Sequence, residues 1–182
     1  NWDTVLKTAI SDLEVDQREV NSKLYHIRYP IENSEDFITI ATTRPETMLG
    51  DTAIAVNPSD ERYKKVVGKF VTIPLVGRKI KIIEDEYADP EQGTGAVKIT
   101  PAHDFNDYEV GERNNLEIIN VFTEDGKINE NAPKEFIGLD RFEARKQLLK
   151  KLKENNFFVE EENIKNKVPY GDRSNSIIEP YL

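Results

Sequence analysis

Apolar and polar positions divide the chain into short β-like runs and two helix-like runs. Residues 1–23 are polar with a sparse apolar pattern (Trp2, Val5, Leu6, Ile10, Leu13), which reads as a lead-in rather than as core. From Leu24 the character changes. Leu24–Ile31 and Phe37–Thr43 are rich in β-branched and aromatic residues, with Asn33-Ser34-Glu35-Asp36 between them, and predict two strands joined by a polar loop. Asp51–Val56 predicts a third strand, stopped by Asn57-Pro58. Ser59 to Arg62 opens a helical turn that ends before Gly68. Phe70–Ile73, Lys79–Ile83, Ala96–Thr100 and Ile118–Phe122 predict four more short strands, separated by Pro and Gly. Asp140–Asn155 predicts a helix, because Asp140 stands at an N-cap with Glu143 three residues on, and Phe142, Leu148, Leu149 and Leu152 share one face. Asp104–Arg113 predicts a second helix, just after Pro101. Many short strands with two or three helices give an α+β class, a barrel-like set of mostly antiparallel strands flanked by helices. Gly171–Leu182 is turn-rich and reads as a lead-out.

Composition narrows the chemistry. The 182 residues carry 34 acidic and 25 basic side chains, a net charge of −9, with 37% hydrophobic residues. That length fits one domain with its own core. The acidic balance argues against binding nucleic acid by bulk charge. There is no cysteine and there are two histidines, His26 and His103, so a thiol nucleophile and a Cys- or His-rich metal cluster are excluded. No apolar run approaches the ~20 residues of a membrane span, and no secretory leader is visible, so a soluble domain of a reducing compartment is expected.

Three segments concentrate polar groups at strand ends. In Thr42-Thr43-Arg44-Pro45-Glu46-Thr47, hydroxyls, a guanidinium and free backbone N–H groups could hold an anion or a sugar; a surface ion pair beside a capped turn reads equally from the pattern. Gly93-Thr94-Gly95 leads into a strand, not a helix, so it is neither a Walker loop nor a dinucleotide fingerprint. Its glycines permit a tight turn or a close approach to a ligand. Lys98 and Thr100 follow on one face of that strand. In Pro101-Ala102-His103-Asp104-Phe105-Asn106-Asp107, the two aspartates sit three apart in a first helical turn. Both fit a cap or a helix-dipole partner, Asp104 more closely than Asp107, and a carboxylate held on such a rigid turn is also a good receptor for an ammonium group. His103 is a general-base candidate or a structural histidine. No serine occurs between Ser59 and Ser174, which disfavours a serine nucleophile.

Read together, Ala41-Thr-Thr-Arg-Pro-Glu-Thr47, Gly93-Thr-Gly-Ala-Val-Lys-Ile-Thr-Pro-Ala-His-Asp104 and Asn106-Asp-Tyr-Glu-Val-Gly111 resemble the editing (connective peptide) domain of class I aminoacyl-tRNA synthetases for branched aliphatic amino acids. The resemblance spans essentially the whole chain. The valyl branch matches best, through Lys98-Ile-Thr-Pro-Ala-His-Asp104 and Asp140-Arg-Phe-Glu-Ala-Arg145, where isoleucyl members typically carry His-Thr-Ala-Pro-Gly-His in the first place. The resemblance implies an editing domain over 24–170, joined through 1–23 and 171–182 to an absent Rossmann catalytic domain. The Rossmann domain's two signature motifs are missing here, so the chain alone is not expected to charge tRNA.

The implied activity is post-transfer, and also pre-transfer, editing: hydrolysis of the ester joining threonine to tRNA(Val). Alternatives are isoleucyl-type editing of Val-tRNA(Ile) and an inactive aminoacyl-adenosine binding module. A hydrophobic synthetic pocket poorly rejects an isostere that adds a hydroxyl, so a second pocket that binds the hydroxyl is needed. Carried over by motif position, Asp107 would anchor the α-ammonium. Lys98, Thr100 and Asp104 would recognise the threonine hydroxyl, and Thr42, Thr43 and Arg44 would face the terminal adenosine or its linkage. Asp107, Thr42 and Arg44 are the implied catalytic set. The family's editing site uses no metal or cofactor, its water being held by backbone groups and the substrate's ribose hydroxyl, while a full-length synthetase uses ATP and magnesium. A cytoplasmic monomer whose partner is the aminoacylated 3′ end of tRNA(Val) is implied. Gln92 stands where many valyl members carry an aromatic before Gly-Thr-Gly, which bears on adenine binding. The 140–155 helix holds six basic and three acidic residues and reads as a solvated face that could touch an acceptor stem.

Overall fold

The computed structural model describes residues 1–181. Its strands are β1 (Trp2–Asp3), β2 (Thr8–Ala9), β3 (Val15–Pro30), β4 (Phe37–Thr42), β5 (Ala53–Val56), β6 (Phe70–Thr72), β7 (Lys79–Glu84), β8 (Val97–Ile99) and β9 (Phe158–Gly171). Two α-helices, α1 (Phe105–Asn114) and α2 (Arg141–Glu154), and four 3-10 turns complete the described residues. β1 and β2 form a small pair, β4-β3-β9 a three-stranded sheet, and β6-β7-β5-β8 a four-stranded sheet. All pairings are antiparallel except β5 with β7. The α+β class of mostly antiparallel strands is as expected; β6 meets the end of β3 through the bridge Ile31↔Val71, and no closed barrel forms among the described residues.

β5 sits at the centre because both its faces are apolar and buried. Ile54 and Val56 enter the main core with Ile27 and Tyr29 of β3, Ile40 of β4, Ile80 and Ile82 of β7, and Leu148 and Leu152 of α2. Ala53 and Ala55 point the other way, against Ile99 of β8 and Val110 of α1. Small side chains there let α1 lie close to the sheet, and α1 carries part of the site. Each fully buried leucine of α2 stabilises the fold by roughly 2 kcal/mol through its removal from water. Asp140 caps α2 at the Phe142 N–H, 2.9 Å away, as its sequence position predicts.

Two expectations need correction. Ile118–Phe122 is not a strand; its one pairing is the bridge Phe122 to Ile128. The segment's backbone is satisfied by side chains instead, with Asn129 and Asn131 amides donating to the Asn120 carbonyl at 2.9 and 2.8 Å, and the Val121 N–H donating to His103. Conversely, residues 15–23 and 158–171 form long strands. They pair from Val15↔Gly171 to Ile27↔Phe158, with a bulge between His26 and Ile27. Along 18–24 and 164–168 one face is half-buried and the other exposed, but the half-buried positions include the polar Arg18, Ser22 and Asn166, so neither strand shows the hydrophobic alternation that marks a core strand. Position 24, where the sequence changes character, therefore lies inside β3. The first residues are not all peripheral either, since Asp3 and Ile10 are buried and Trp2 bridges to Glu179. Leu182 of the expected lead-out lies outside the described residues.

Candidate functional site

The end of β4, the 3-10 turn Pro45–Gly50, the strand β8 and the N-terminus of α1 converge on a cleft of about 240 Å³. Six of the seven residues singled out from the sequence border it: Thr42, Thr43, Arg44, Lys98, Asp104 and Asp107. Thr47 and Tyr87 border it as well, and no sequence signal marks Tyr87. Thr100 does not. Its side chain turns behind the cleft into a buried polar knot that sequence reasoning missed.

Asp51 is the centre of that knot. It is fully buried at the mouth of β5, and its Oδ1 accepts from Thr100 Oγ1 at 2.6 Å and from Lys98 Nζ at 2.9 Å. Its Oδ2 accepts from the buried Tyr29 hydroxyl at 2.6 Å. Lys98 Nζ also donates to Thr100 Oγ1. Two of its three N–H groups are thus engaged, and one remains for whatever enters the cleft. Burial pushes the Asp51 carboxyl up; Lys98 and the donated hydrogen bonds oppose the rise. Burial likewise pushes the Tyr29 phenol up, reinforced by the adjacent Asp51. The knot is a neutral, satisfied pair that fixes the Lys98 ammonium on the cleft wall.

Asp104 caps α1, its Oδ1 accepting from the N–H groups of Asn106 and Asp107 at 2.8 and 2.9 Å. Asp107, in the first turn, accepts from the Thr100 N–H at 2.9 Å through Oδ2. Its carboxyl is 7% exposed and its pKa is raised to about 7, first by burial and then by the neighbouring Asp104 charge. An unpaired carboxyl beside a cleft, destabilised as an anion, gains most from an arriving cation. Tyr87, at the rim, is raised to about 12 by burial and by both aspartates, so its phenol stays protonated.

Arg44 is held on several sides. Its Nη1 donates to the His103 carbonyl at 3.0 Å, its Nη2 to Glu179 Oε1 at 2.5 Å, and its Nε lies 3.7 Å from Glu46. Its backbone N–H donates to Thr42 Oγ1 at 3.0 Å. Glu46, fully buried, is gripped by Arg145 Nε and Nη2 at 2.8 and 2.9 Å, which outweighs its burial and holds its pKa down. Arg44 is therefore part of a buried network rather than a surface pair. Two of the six basic residues of α2, Arg141 and Arg145, are spent the same way on Glu179 and Glu46, so that helix is not a uniformly solvated basic face.

His103 is buried, and its Nε2 accepts from the Val121 N–H at 2.9 Å, which places its proton on Nδ1. Burial and the Arg44 and Lys98 charges lower its pKa to about 3. With one nitrogen occupied and the other protonated, it serves as structure, not as a general base. The glycine loop also turns out to be structural. Gly95 has φ +83°, and a Cβ there would sit 2.5 Å from Arg62 Nη2, so the close approach is to the protein's own side chains. Thr94 Oγ1 ties the loop to the Thr39 carbonyl at 2.6 Å, and Gln92 is exposed beside it. Among the described residues no group of three or more acidic or histidine side chains is disposed to hold a metal ion.

The sequence and the fold have known counterparts. Residues 62–141 match the family model of the leucyl-tRNA synthetase editing domain. The whole chain is 85% identical to a stretch of the valine--tRNA ligase of Pelagibacter ubique, covering 21% of that protein, and 57% identical to a stretch of the Oceanobacillus iheyensis enzyme, covering 20%. Over residues 62–141 the chain is thus similar to aminoacyl-tRNA synthetase editing domains, and over its whole length to a stretch of valine--tRNA ligases. It spans about a fifth of the length of the valine--tRNA ligases that it matches. The fold agrees: a leucyl-tRNA synthetase CP1 domain (GlLeuRS-CP1) superimposes with TM-score 0.59 at 14% identity, over 75% of this chain and 98% of that one. A leucyl-tRNA synthetase of Agrobacterium radiobacter K84, in a ternary complex with tRNA, superimposes with TM-score 0.58 at 22% identity, over 82% of this chain and 20% of that one. In sequence the chain is like stretches of these valine--tRNA ligases, and its architecture is like that of the leucyl-tRNA synthetase domains. Among the described residues no helix is long and apolar enough to cross a membrane.

Proposed function

We propose that this chain is an editing domain that hydrolyses the ester of threonyl-tRNA(Val). The observation that carries the reading is the pairing, across one small cleft, of a raised carboxyl at Asp107 with an ammonium at Lys98 that has one free N–H. A β-hydroxy amino acid presents the complements: an ammonium for Asp107 and a hydroxyl for Lys98. Valine would leave the Lys98 N–H unpaired in a buried site, which costs about 1–3 kcal/mol. Thr100 contributes indirectly, by holding Lys98, and Asp104 by capping α1 and raising Asp107. Thr42, Thr43 and Arg44 line the same cleft and would take the terminal adenosine and its linkage.

The chemistry this set supports is positioning and charge stabilisation, with water attacking the ester carbonyl and no covalent protein intermediate. Segments 1–23 and 171–182 would serve as the junctions to the rest of a synthetase, and the working form would be a cytoplasmic monomer fed by the 3′ end of one tRNA. Incubating the chain with Thr-tRNA(Val), Val-tRNA(Val) and Val-tRNA(Ile) tests the reading. Loss of the first ester alone is expected. Preferential loss of Val-tRNA(Ile) would reassign the specificity, and binding of a non-hydrolysable threonyl-adenosine analogue without any deacylation would make the chain a binding module.

A further inference from the structure

We infer that Glu179 is a positioning residue for the editing cleft, acting through Arg44; the inference rests on the proposed deacylase reading. Arg44 lines the cleft, and among the described residues Glu179 is the one carboxylate within hydrogen-bond distance of its guanidinium, at 2.5 Å. Glu46 stands 3.7 Å from Arg44 and is already engaged on both oxygens by Arg145. The remaining tether, the His103 carbonyl, carries no charge.

Glu179 can hold Arg44 because it is itself immobilised. Its Oε2 accepts from Arg141 Nη1 at 2.8 Å, and Arg141 Nη2 donates to the Ile177 carbonyl at 2.7 Å. Its backbone exchanges two hydrogen bonds with Trp2, at 2.8 and 3.0 Å. Both carboxylate oxygens thus have partners, one on α2 and one at the cleft, and the residue is 3% exposed. The carboxylate lies between two guanidiniums, so its charge offsets the repulsion between Arg44 and Arg141 and holds each in a fixed place. Fixing Arg44 matters because a guanidinium on a flexible stem loses side-chain entropy when it contacts substrate, and Glu179 removes that cost beforehand.

The alternative is that Glu179 serves α2 and the fold alone. A double-mutant cycle separates the two. In the 182-residue chain, Glu179→Gln is expected to lower kcat/KM for Thr-tRNA(Val) about tenfold, as loss of a charged hydrogen bond does, with a circular dichroism spectrum and a well-dispersed NMR spectrum like those of the unaltered chain. In an Arg44→Met background the same change is expected to cost less than about twofold. Equal losses in both backgrounds, or no loss in the first, would overturn the inference. If Glu179→Gln does not fold, Glu179→Asp replaces it: the charge facing Arg141 stays and the reach to Arg44 shortens, and the same non-additivity is required. A second arm needs no substrate. Slowed rotation of the Arg44 guanidinium, seen as separate Nη–H NMR signals, is expected in the unaltered chain and not in Glu179→Gln. If the unaltered chain deacylates nothing, the functional reading fails, while this arm still decides whether Glu179 fixes Arg44.

Discussion

Asp107→Asn isolates the charge that the proposed site depends on. Asparagine keeps the size and a carbonyl for the Thr100 N–H, which lies 2.9 Å from Oδ2, so the first turn of α1 stays in place. With a pKa of about 7 in the empty cleft, the Asp107 carboxyl is roughly a tenth ionised at pH 6 and roughly nine-tenths at pH 8. Only the anion anchors an ammonium. The ratio of kcat/KM between the unaltered chain and Asp107→Asn is therefore expected to rise about tenfold from pH 6 to pH 8. At pH 8 it should reach about 10- to 100-fold, the range for a hydrogen bond to a charged group. Taking the ratio cancels the titration of the substrate amine and the intrinsic lability of the ester. Steady-state deacylation of Thr-tRNA(Val) in a single mixed buffer across that range is the assay. A ratio that stays flat with pH, however large, would refute the argument, because the group would then not be changing charge where its burial places it. Folding gives an independent check. A carboxyl raised from 3.8 to about 7 binds its proton more tightly in the folded state than in the unfolded one. Between about pH 4 and pH 7 this makes the unaltered chain lose stability with rising pH relative to Asp107→Asn, by up to about 4 kcal/mol. Urea midpoints at pH 4 and pH 7 read this difference.

Further outcomes follow from the knot behind the cleft and from His103. Tyr29→Phe removes the 2.6 Å hydrogen bond to buried Asp51 and is expected to cost about 1–3 kcal/mol in urea unfolding. Lys98→Met removes the cation hydrogen-bonded to the buried Asp51 carboxylate, leaving Arg78, which meets Asp51 only at the backbone carbonyl, and should cost about 3–5 kcal/mol, whereas Lys98→Met with Asp51→Asn should recover part of that loss while remaining inactive toward Thr-tRNA(Val). His103, lowered to about 3, should show no imidazole titration by NMR between pH 5 and pH 8. Its effect on stability has the opposite sign to that of Asp107: it is fully present above about pH 6.5 and is lost as pH falls toward 3, since the unfolded ring takes up a proton that the folded one refuses.

The parts of this molecule that the sequence makes legible are those where one local rule acts alone. Asp140 and Asp104 stand where helix caps stand, and both cap. Phe37–Thr42 and Lys79–Glu84 alternate or run apolar, and both are strands against the core. Residues 15–23 and 158–171 were hidden because they pair across more than a hundred residues, and their half-buried face mixes Arg18, Ser22 and Asn166 with Val20, Ile164 and Val168, which blurs the periodic signal. The same distinction runs through the site. Thr42, Thr43, Arg44, Lys98, Asp104 and Asp107 lie in three short segments whose local pattern already marks them, and the fold brings all six to one cleft. Asp51 and Glu179 were illegible because their chemistry exists only through distant partners: Asp51 through Tyr29, Lys98 and Thr100, and Glu179 through Arg44 and Arg141. Thr100 shows the consequence. Its place two residues after Lys98 suggests a shared role at the ligand, yet its hydroxyl goes to Asp51, so it acts on the substrate only through the ammonium that it helps to hold. A motif therefore names the residues that matter at such a site, and the buried partners outside it decide which of them touch the ligand and which hold the others still.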